Sequence, residues 1–259
     1  MQHPTTARED VTQAACTALA RLRETAPRVH CITNAVAQNF TANVLLALGC
    51  VPSMTLSAAE VGGFVAGAQA LLVNLGTFDA ERRQATELAI KAASERKLPW
   101  VLDPVFVDRS QPRAEFARAL IASGPSVVRL NRGEFAAIAG TNPSPDALAA
   151  FAGDNKIVVG LSGETDTVAD GQRIACIANG HKLMSRVTAM GCAVSAITAA
   201  CLAVERDGFV ATAAALIMAG VGGEIAGDKA QGPGSFAVGI LDALYSLDAA
   251  AVAARARVS

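Results

Sequence analysis

Aromatic residues make up only 4% of this 259-residue chain and charged residues 17%, against 52% hydrophobic. Charge of neither sign dominates: 22 Lys and Arg stand against 23 Asp and Glu, a net of −1. No Lys/Arg run exists, so the electrostatic footprint of a nucleic-acid or membrane-surface protein is missing. There is no Gly-Lys dipeptide and therefore no P-loop, and no Gly-x-Gly-x-x-Gly follows the first strand-like run. The six cysteines, at 16, 31, 50, 176, 192 and 201, form no Cys-x-x-Cys pair, and the three histidines, at 3, 30 and 181, form no His-Glu-x-x-His. A His/Cys transition-metal site is therefore not expected. Glu9 and Asp10 precede a weak apolar stretch, which is wrong for a secretory signal. Reduced thiols and a cytoplasmic location are expected.

What is abundant is Ala and Val, the composition of close-packed helices against a buried sheet. Two charge-free windows are long enough to be weighed as membrane spans. Val29–Ala59 holds Asn34, Gln38, Asn39, Asn43 and Pro52, too polar for a lipid-facing helix. Val187–Val204 is Ala-rich and interrupted by Thr188, Ser195 and Thr198, and reads as a core helix. The length fits one large domain or two small ones. No linker, repeat or low-complexity tract appears, so a single domain over 1–259 is expected.

Helical periods alternate with short apolar runs. Helices are expected near Arg8–Thr25, Val36–Leu48, Asp79–Arg96, Arg113–Ala122 and Glu134–Ala139, with another after Pro143 and Pro145. Strands are expected at Val29–Ile32, Ser53–Leu56, Ala70–Leu75, Trp100–Val105, Val127–Leu130 and Lys156–Leu161. Ser57-Ala-Ala-Glu60 has the spacing of a capping box opening a helix. Thr165–Ala169 and Arg173–Ile177, split by Asp170-Gly171, read as an antiparallel hairpin. Gly191–Leu247 reads as helical, punctuated by Gly-Pro-Gly at 232–234. This is an α/β pattern with a mostly parallel central sheet flanked by helices.

Chemistry-bearing residues gather just after the strands, where an open α/β sheet places its binding crevice. They are Thr33-Asn34, Gly76-Thr77, Asp103-Pro104, Asn131 with Glu134, and Ser162-Gly163-Glu164. Ala189-Met-Gly-Cys192 opens the charge-free helix, whose free N–H groups favour anionic oxygens and a thiolate at Cys192. Each residue also has a structural reading. Asp103 caps the turn set by Pro104, Glu134 is a first-turn carboxylate favoured by the helix dipole, and Arg129 is paired structurally. Met54 is core filler, and Cys192 is a buried thiol.

The segments His30-Cys-Ile-Thr-Asn34, Asn39-Phe-Thr-Ala-Asn43, Leu45–Gly49, Val101-Leu-Asp-Pro-Val105, Arg129-x-Asn-x-x-Glu134, Val187-Thr188 before Gly191-Cys192, Gly232-Pro-Gly-Ser-Phe236 and Leu241-Asp-Ala-Leu-Tyr245 carry a resemblance. Together they are similar to the hydroxyethylthiazole kinases of thiamine biosynthesis and salvage, in the ribokinase-like superfamily. A cysteine where superfamily relatives usually place a catalytic Asp is the most discriminating feature. The resemblance implies transfer of the ATP γ-phosphoryl group to the primary hydroxyl of 4-methyl-5-(2-hydroxyethyl)thiazole. It implies a thiazole pocket with Asn34, Met54 and Ala189, and contacts to ATP from Arg129, Ser162 and Gly191. Asp103 and Glu134 would organise Mg2+, Cys192 would sit beside the acceptor hydroxyl, and the enzyme would be a homotrimer with sites at subunit boundaries.

Three departures stand out. Ala189-Met190 replaces the family's Gly-Thr or Gly-Ala, Phe106-Val107-Asp108 replaces Gly-Val-Gly, and Ser162 stands where Thr is common. The rival readings are a hydroxymethylpyrimidine-type alcohol kinase, a hydrate dehydratase of the same fold, and a non-catalytic ligand-binding protein derived from a kinase. The first two call for Asp at position 192, and the intact Asp103, Arg129 and Glu134 speak against the third.

Overall fold

Runs of four or five consecutive apolar residues leave no polar face, so a strand built from them must be covered on both sides. In the computed structural model, which describes residues 8–259, β3 (Ala70–Asn74) and β4 (Trp100–Asp103) bury every residue. They lie in an eight-stranded sheet with β1 (Arg28–Ile32), β2 (Val51–Ser53), β5 (Val127–Asn131), β6 (Val158–Ser162), β7 (Asp166–Ala169) and β8 (Ile174–Ile177). The order is β2-β1-β3-β4-β5-β6-β7-β8. Neighbours from β2 to β6 pair in parallel, and β7 and β8 add an antiparallel hairpin at one edge. The last residues close that edge: Val258 bridges Ile177, and Cys176 and Ser259 exchange backbone hydrogen bonds.

Alternate residues of each strand feed two cores, as the two-residue strand period requires. Ala70 and Leu72 face one, Leu71 and Val73 the other. The first core is covered by α1 (Arg8–Thr25), α2 (Gln38–Ala47), α8 (Met190–Val204), α9 (Gly208–Gly227), α10 (Pro233–Ser246) and α11 (Ala249–Arg255). The second is covered by α3 (Val61–Ala66), α4 (Ala80–Glu95), α5 (Gln111–Ile121), α6 (Arg132–Ala139) and α7 (Pro145–Asn155). Within the first layer α1 packs along α9 and α11, and α8 lies against α9 and α2. The charge-free window that ends at Val204 is indeed a core helix, buried along nearly all of α8. Among the described residues only α9 is by itself long and apolar enough to cross a membrane, and 83% of its apolar window is buried inside the protein.

Two expectations need correction. The second strand lies two to three residues earlier than the apolar run Ser53–Leu56 suggests. Gly49 turns the chain at φ 88°, and Val51 enters the sheet opposite Arg28; Pro52 is tolerated because this is an edge strand. The Ser57–Glu60 capping box does not form. The helix starts later, at Val61, no side chain caps it, and the Glu60 carboxylate instead accepts a hydrogen bond from the Thr55 hydroxyl. Other boundaries move by small amounts; Lys156, for instance, caps the end of α7 in left-handed conformation rather than opening β6. All six thiols are free.

Candidate active site

The parallel strands end along one edge, and each of four central ones delivers a polar residue there: Asn74 from β3, Asp103 from β4, Asn131 from β5 and Ser162 from β6. The N-terminus of α8 comes down onto this edge and brings Gly191, Cys192 and Ser195. Asn74 ties the two sides together. Its amide nitrogen donates to Asp103 Oδ2 at 2.7 Å and to Cys192 Sγ at 3.2 Å, while its oxygen accepts from Asn34 Nδ2 at 3.0 Å. Asn34 Nδ2 also donates to Cys192 Sγ at 3.4 Å. Ser195 Oγ donates to Asp103 Oδ2 at 2.8 Å. Arg129 reaches across from β5 and donates to the carbonyl of Gly191 at 3.1 Å.

Asp103 and Glu134 are buried at the strand ends, only 3% and 6% exposed. Burial raises the Asp103 carboxyl above its ordinary range, against the pull of Arg129, Ser195 and Asn74. Glu134 is raised by burial and then by the charge of Asp103, opposed by the amides of Asn131 and Phe106 and by Arg129. Glu134 is also a capping-box residue: its carboxylate accepts from Asn131 N and Phe106 N while Asn131 caps Glu134 N. Its structural and chemical readings therefore coexist.

The expectation of a thiolate at Cys192 is overturned. The helix N-terminus favours the anion, yet burial and the neighbouring Asp103 carboxylate push the thiol up to about 11, despite the two Asn donors and Arg129. Ala189, just before α8, has φ 66° and ψ 0°, the left-handed conformation that penalises a side chain.

A cavity of about 490 Å3 is lined by Asp103, Phe106, Glu134, Ala189 and Cys192. Arg129, Ser162 and Gly191 line both it and an adjoining cavity of about 720 Å3 that reaches Asp166, Asn179 and His181. At this junction Ser162 Oγ and Arg129 Nε are buried with no hydrogen-bond partner, an unmet demand for a polar ligand. The expected residues Asp103, Arg129, Glu134, Ser162, Ala189, Gly191 and Cys192 are thus gathered around one pair of cavities. Asn34 stands behind Cys192. Met54 does not line these cavities; it lies just past the edge strand β2, half buried against the first core.

The sequence pattern alone did not single out Asn74 and Ser195. An Asn closing a fully apolar strand was one available signal, and a serine one helical turn beyond Cys192 was the other.

Residues 19–250 match the model of the hydroxyethylthiazole kinase family. A probable hydroxyethylthiazole kinase of Agrobacterium fabrum is 43% identical over 93% of this chain and 92% of its own length. A hydroxyethylthiazole kinase of Akkermansia muciniphila is 40% identical over 96% of this chain and 97% of its own. The solved hydroxyethylthiazole kinase protein of Pyrococcus horikoshii superposes with a TM-score of 0.91 at 35% identity, covering 95% of this chain and 98% of the other. Pyridoxal kinase of Staphylococcus aureus, at 16% identity, a TM-score of 0.61 and coverage of 76% and 88%, shares the ribokinase-like fold alone. By sequence along nearly its whole length and by fold, the chain belongs to the hydroxyethylthiazole kinase family.

Proposed function

We propose that this protein transfers the γ-phosphoryl group of ATP to the primary hydroxyl of 4-methyl-5-(2-hydroxyethyl)thiazole. The observation that carries this reading is the Asp103–Asn74–Cys192 chain beneath the α8 N-terminus, whose Asp103 and Cys192 line the smaller of two adjoining cavities. ATP occupies the larger cavity, with the Ser162 hydroxyl and the Arg129 guanidinium as its polar contacts. Its terminal phosphate lies against the free amides around Gly191, which favour anionic oxygens. The acceptor alcohol takes the smaller cavity, bounded by Ala189 and Cys192, with Asn34 fixing the thiol from behind. Phosphoryl transfer needs positioning and charge neutralisation more than covalent chemistry, and these groups supply both.

Mg2+ fits the donor set. Among the described residues no cluster of three or more His, Cys, Asp or Glu could hold a metal ion by itself. Asp103 and Glu134 are nevertheless two buried carboxylates, each raised by burial, with the charge of Asp103 raising Glu134 further. Magnesium is commonly held by one or two carboxylates, waters and substrate phosphates; bound here, it supplies neutralisation of the polyphosphate charge.

The reading extends to a homotrimer in the cytoplasm, with the described residues 8–259 forming one domain. Met54, which lies outside both cavities, would join a thiazole pocket only if that pocket were completed across a subunit boundary near β2, as the resemblance implies. Val51 and Phe64, 47% and 44% exposed, border a cavity of about 580 Å3 along that edge. Free thiols support the location.

The deciding experiment measures ADP release with the thiazole alcohol, with hydroxymethylpyrimidine and with no acceptor, each with and without Mg2+. Turnover with the thiazole alcohol and Mg2+ alone is expected. Preference for the pyrimidine alcohol refutes the substrate, and full activity in excess chelator refutes the metal.

A further inference from the structure

Phe106 occupies an unfavourable position twice over. Its backbone is left-handed, φ 62° and ψ 24°, where side chains are rarely found, and its ring is 50% exposed. Such strain persists only where the surroundings enforce it, and here they do. The Phe106 N–H donates to Glu134 Oε1 at 3.1 Å. The guanidinium groups of Arg109 and Arg113 lie over the ring at 5.7 and 6.0 Å from its centroid, within cation–π range. Arg113 is itself anchored, donating to the carbonyl of Val105 at 2.9 Å and facing the Phe78 ring at 5.8 Å. The result is a Phe106 that lines the 490 Å3 cavity together with Asp103, Glu134 and Cys192, its ring held by two arginines.

We infer that Phe106 shields the transfer site from water and so couples ATP consumption to alcohol phosphorylation. The inference rests on the phosphoryl-transfer reading. In transfer, the alcohol oxygen gives up its proton by way of Cys192 to solvent and bonds to the γ-phosphorus, the bond from that phosphorus to the β–γ bridging oxygen breaks, and ADP leaves with the electron pair. In hydrolysis a water oxygen takes the same in-line position, its proton passes to bulk water, and free phosphate is released. Both nucleophiles compete for one location, and excluding water from a closed site is what suppresses the second reaction. An apolar side chain on the cavity that Asp103 and Glu134 also line serves that purpose because it offers water no hydrogen bond.

The test compares the parent with Phe106→Gly, Phe106→Asn and Phe106→Tyr, following ADP and thiazole phosphate together with thermal melting. Gly and Asn both accept the left-handed backbone, so both remove the ring without imposing new strain. Asn holds the loop more firmly than Gly and separates loss of the ring from loosening of the loop. The parent and Phe106→Tyr are expected to release one ADP per phosphorylated alcohol. In Phe106→Gly and Phe106→Asn, acceptor-free ADP release is expected to rise several-fold, with more ADP than product, while melting temperatures do not fall. Parent enzyme without acceptor-dependent ADP release overturns the phosphoryl-transfer reading. Parent transfer with unchanged coupling in both ringless variants overturns the shield alone. A Phe106→Tyr variant as uncoupled as the ringless pair also overturns it.

Discussion

Replacing Ala189 by glycine isolates the cost of the loop that presents α8 to the site. At φ 66° and ψ 0° the Ala189 Cβ crowds the backbone, a penalty of about 1–2 kcal/mol for an L-residue in the left-handed region. Glycine removes that penalty but gives the unfolded chain more freedom, which takes back about 0.4–1 kcal/mol. The net gain for Ala189→Gly is therefore about 0.8 kcal/mol, or about 2–3 °C in melting temperature for a protein of this size. A ligand-free thermal melt of parent and variant reads it directly. The Ala189 methyl also lines the 490 Å3 cavity, so its removal widens the acceptor site, and KM for the thiazole alcohol should fall or hold while kcat stays within a few-fold. Melting below the parent refutes the reasoning, because it shows that Ala189 bears no strain to be relieved.

Cys192→Ala should be slow but measurable, since general-base assistance contributes about 10²–10⁴ in rate, and Cys192→Asp should retain more activity because the Asn34 and Asn74 amides can donate to a carboxylate as they do to Sγ. With the thiol pushed up to about 11, parent kcat should climb between neutral and mildly alkaline pH as the thiolate fraction grows, whereas the Ala variant stays flat; a fully active Ala variant beside an unfolded Asp variant removes Cys192 from the chemistry. Asp103→Asn and Glu134→Gln should both lose most kcat, but only the second should also lose about 1–3 kcal/mol of stability. Its new NH2 group faces one of the two backbone N–H groups that Glu134 now accepts; an active Glu134→Gln enzyme refutes the metal-organising role. Asp103 and Glu134 are raised from ordinary values of 3.8 and 4.5, so the folded protein binds their protons more tightly than the unfolded chain. Their contribution to ligand-free stability therefore falls as pH rises above about 4. Melts across this range should show the decline lessened in Asp103→Asn, and an unchanged slope in that variant contradicts the assignment.

Much of the fold was legible because burial on both faces leaves a plain signature in β3 and β4. The boundaries that slipped did so where tertiary contacts override local pattern. The register of β2 is set by pairing with Arg28 and by the Gly49 turn, neither of which appears in the apolar run Ser53–Leu56. Ser57 and Glu60 have capping spacing, yet Thr55 competes for the Glu60 carboxylate. In the site, Asp103, Glu134 and Cys192 were marked by position after strands or at a helix start. Their protonation was not, because burial of Cys192 outweighs the helix dipole only once the sheet closes over it. Asn74 stayed hidden as the last residue of a strand whose other four positions are apolar; its significance comes from two residues 29 and 118 positions away.

The contact of α1 with α9 has a consequence for synthesis. The helix made first, ending at Thr25, rests on one that begins at Gly208. At about 5–20 residues per second, roughly 10–40 s separate the two on the ribosome. Throughout that interval the stripe formed by Val11, Ala15, Leu19 and Leu22, buried in the finished protein, has no α9 to cover it. Strands β1 to β6 can meanwhile pair with near neighbours, so docking of α1 is a late step that waits for the other end of the chain. Release of a chain cut short before α9 leaves this stripe bare, which makes the truncated product a chaperone client and an aggregation hazard.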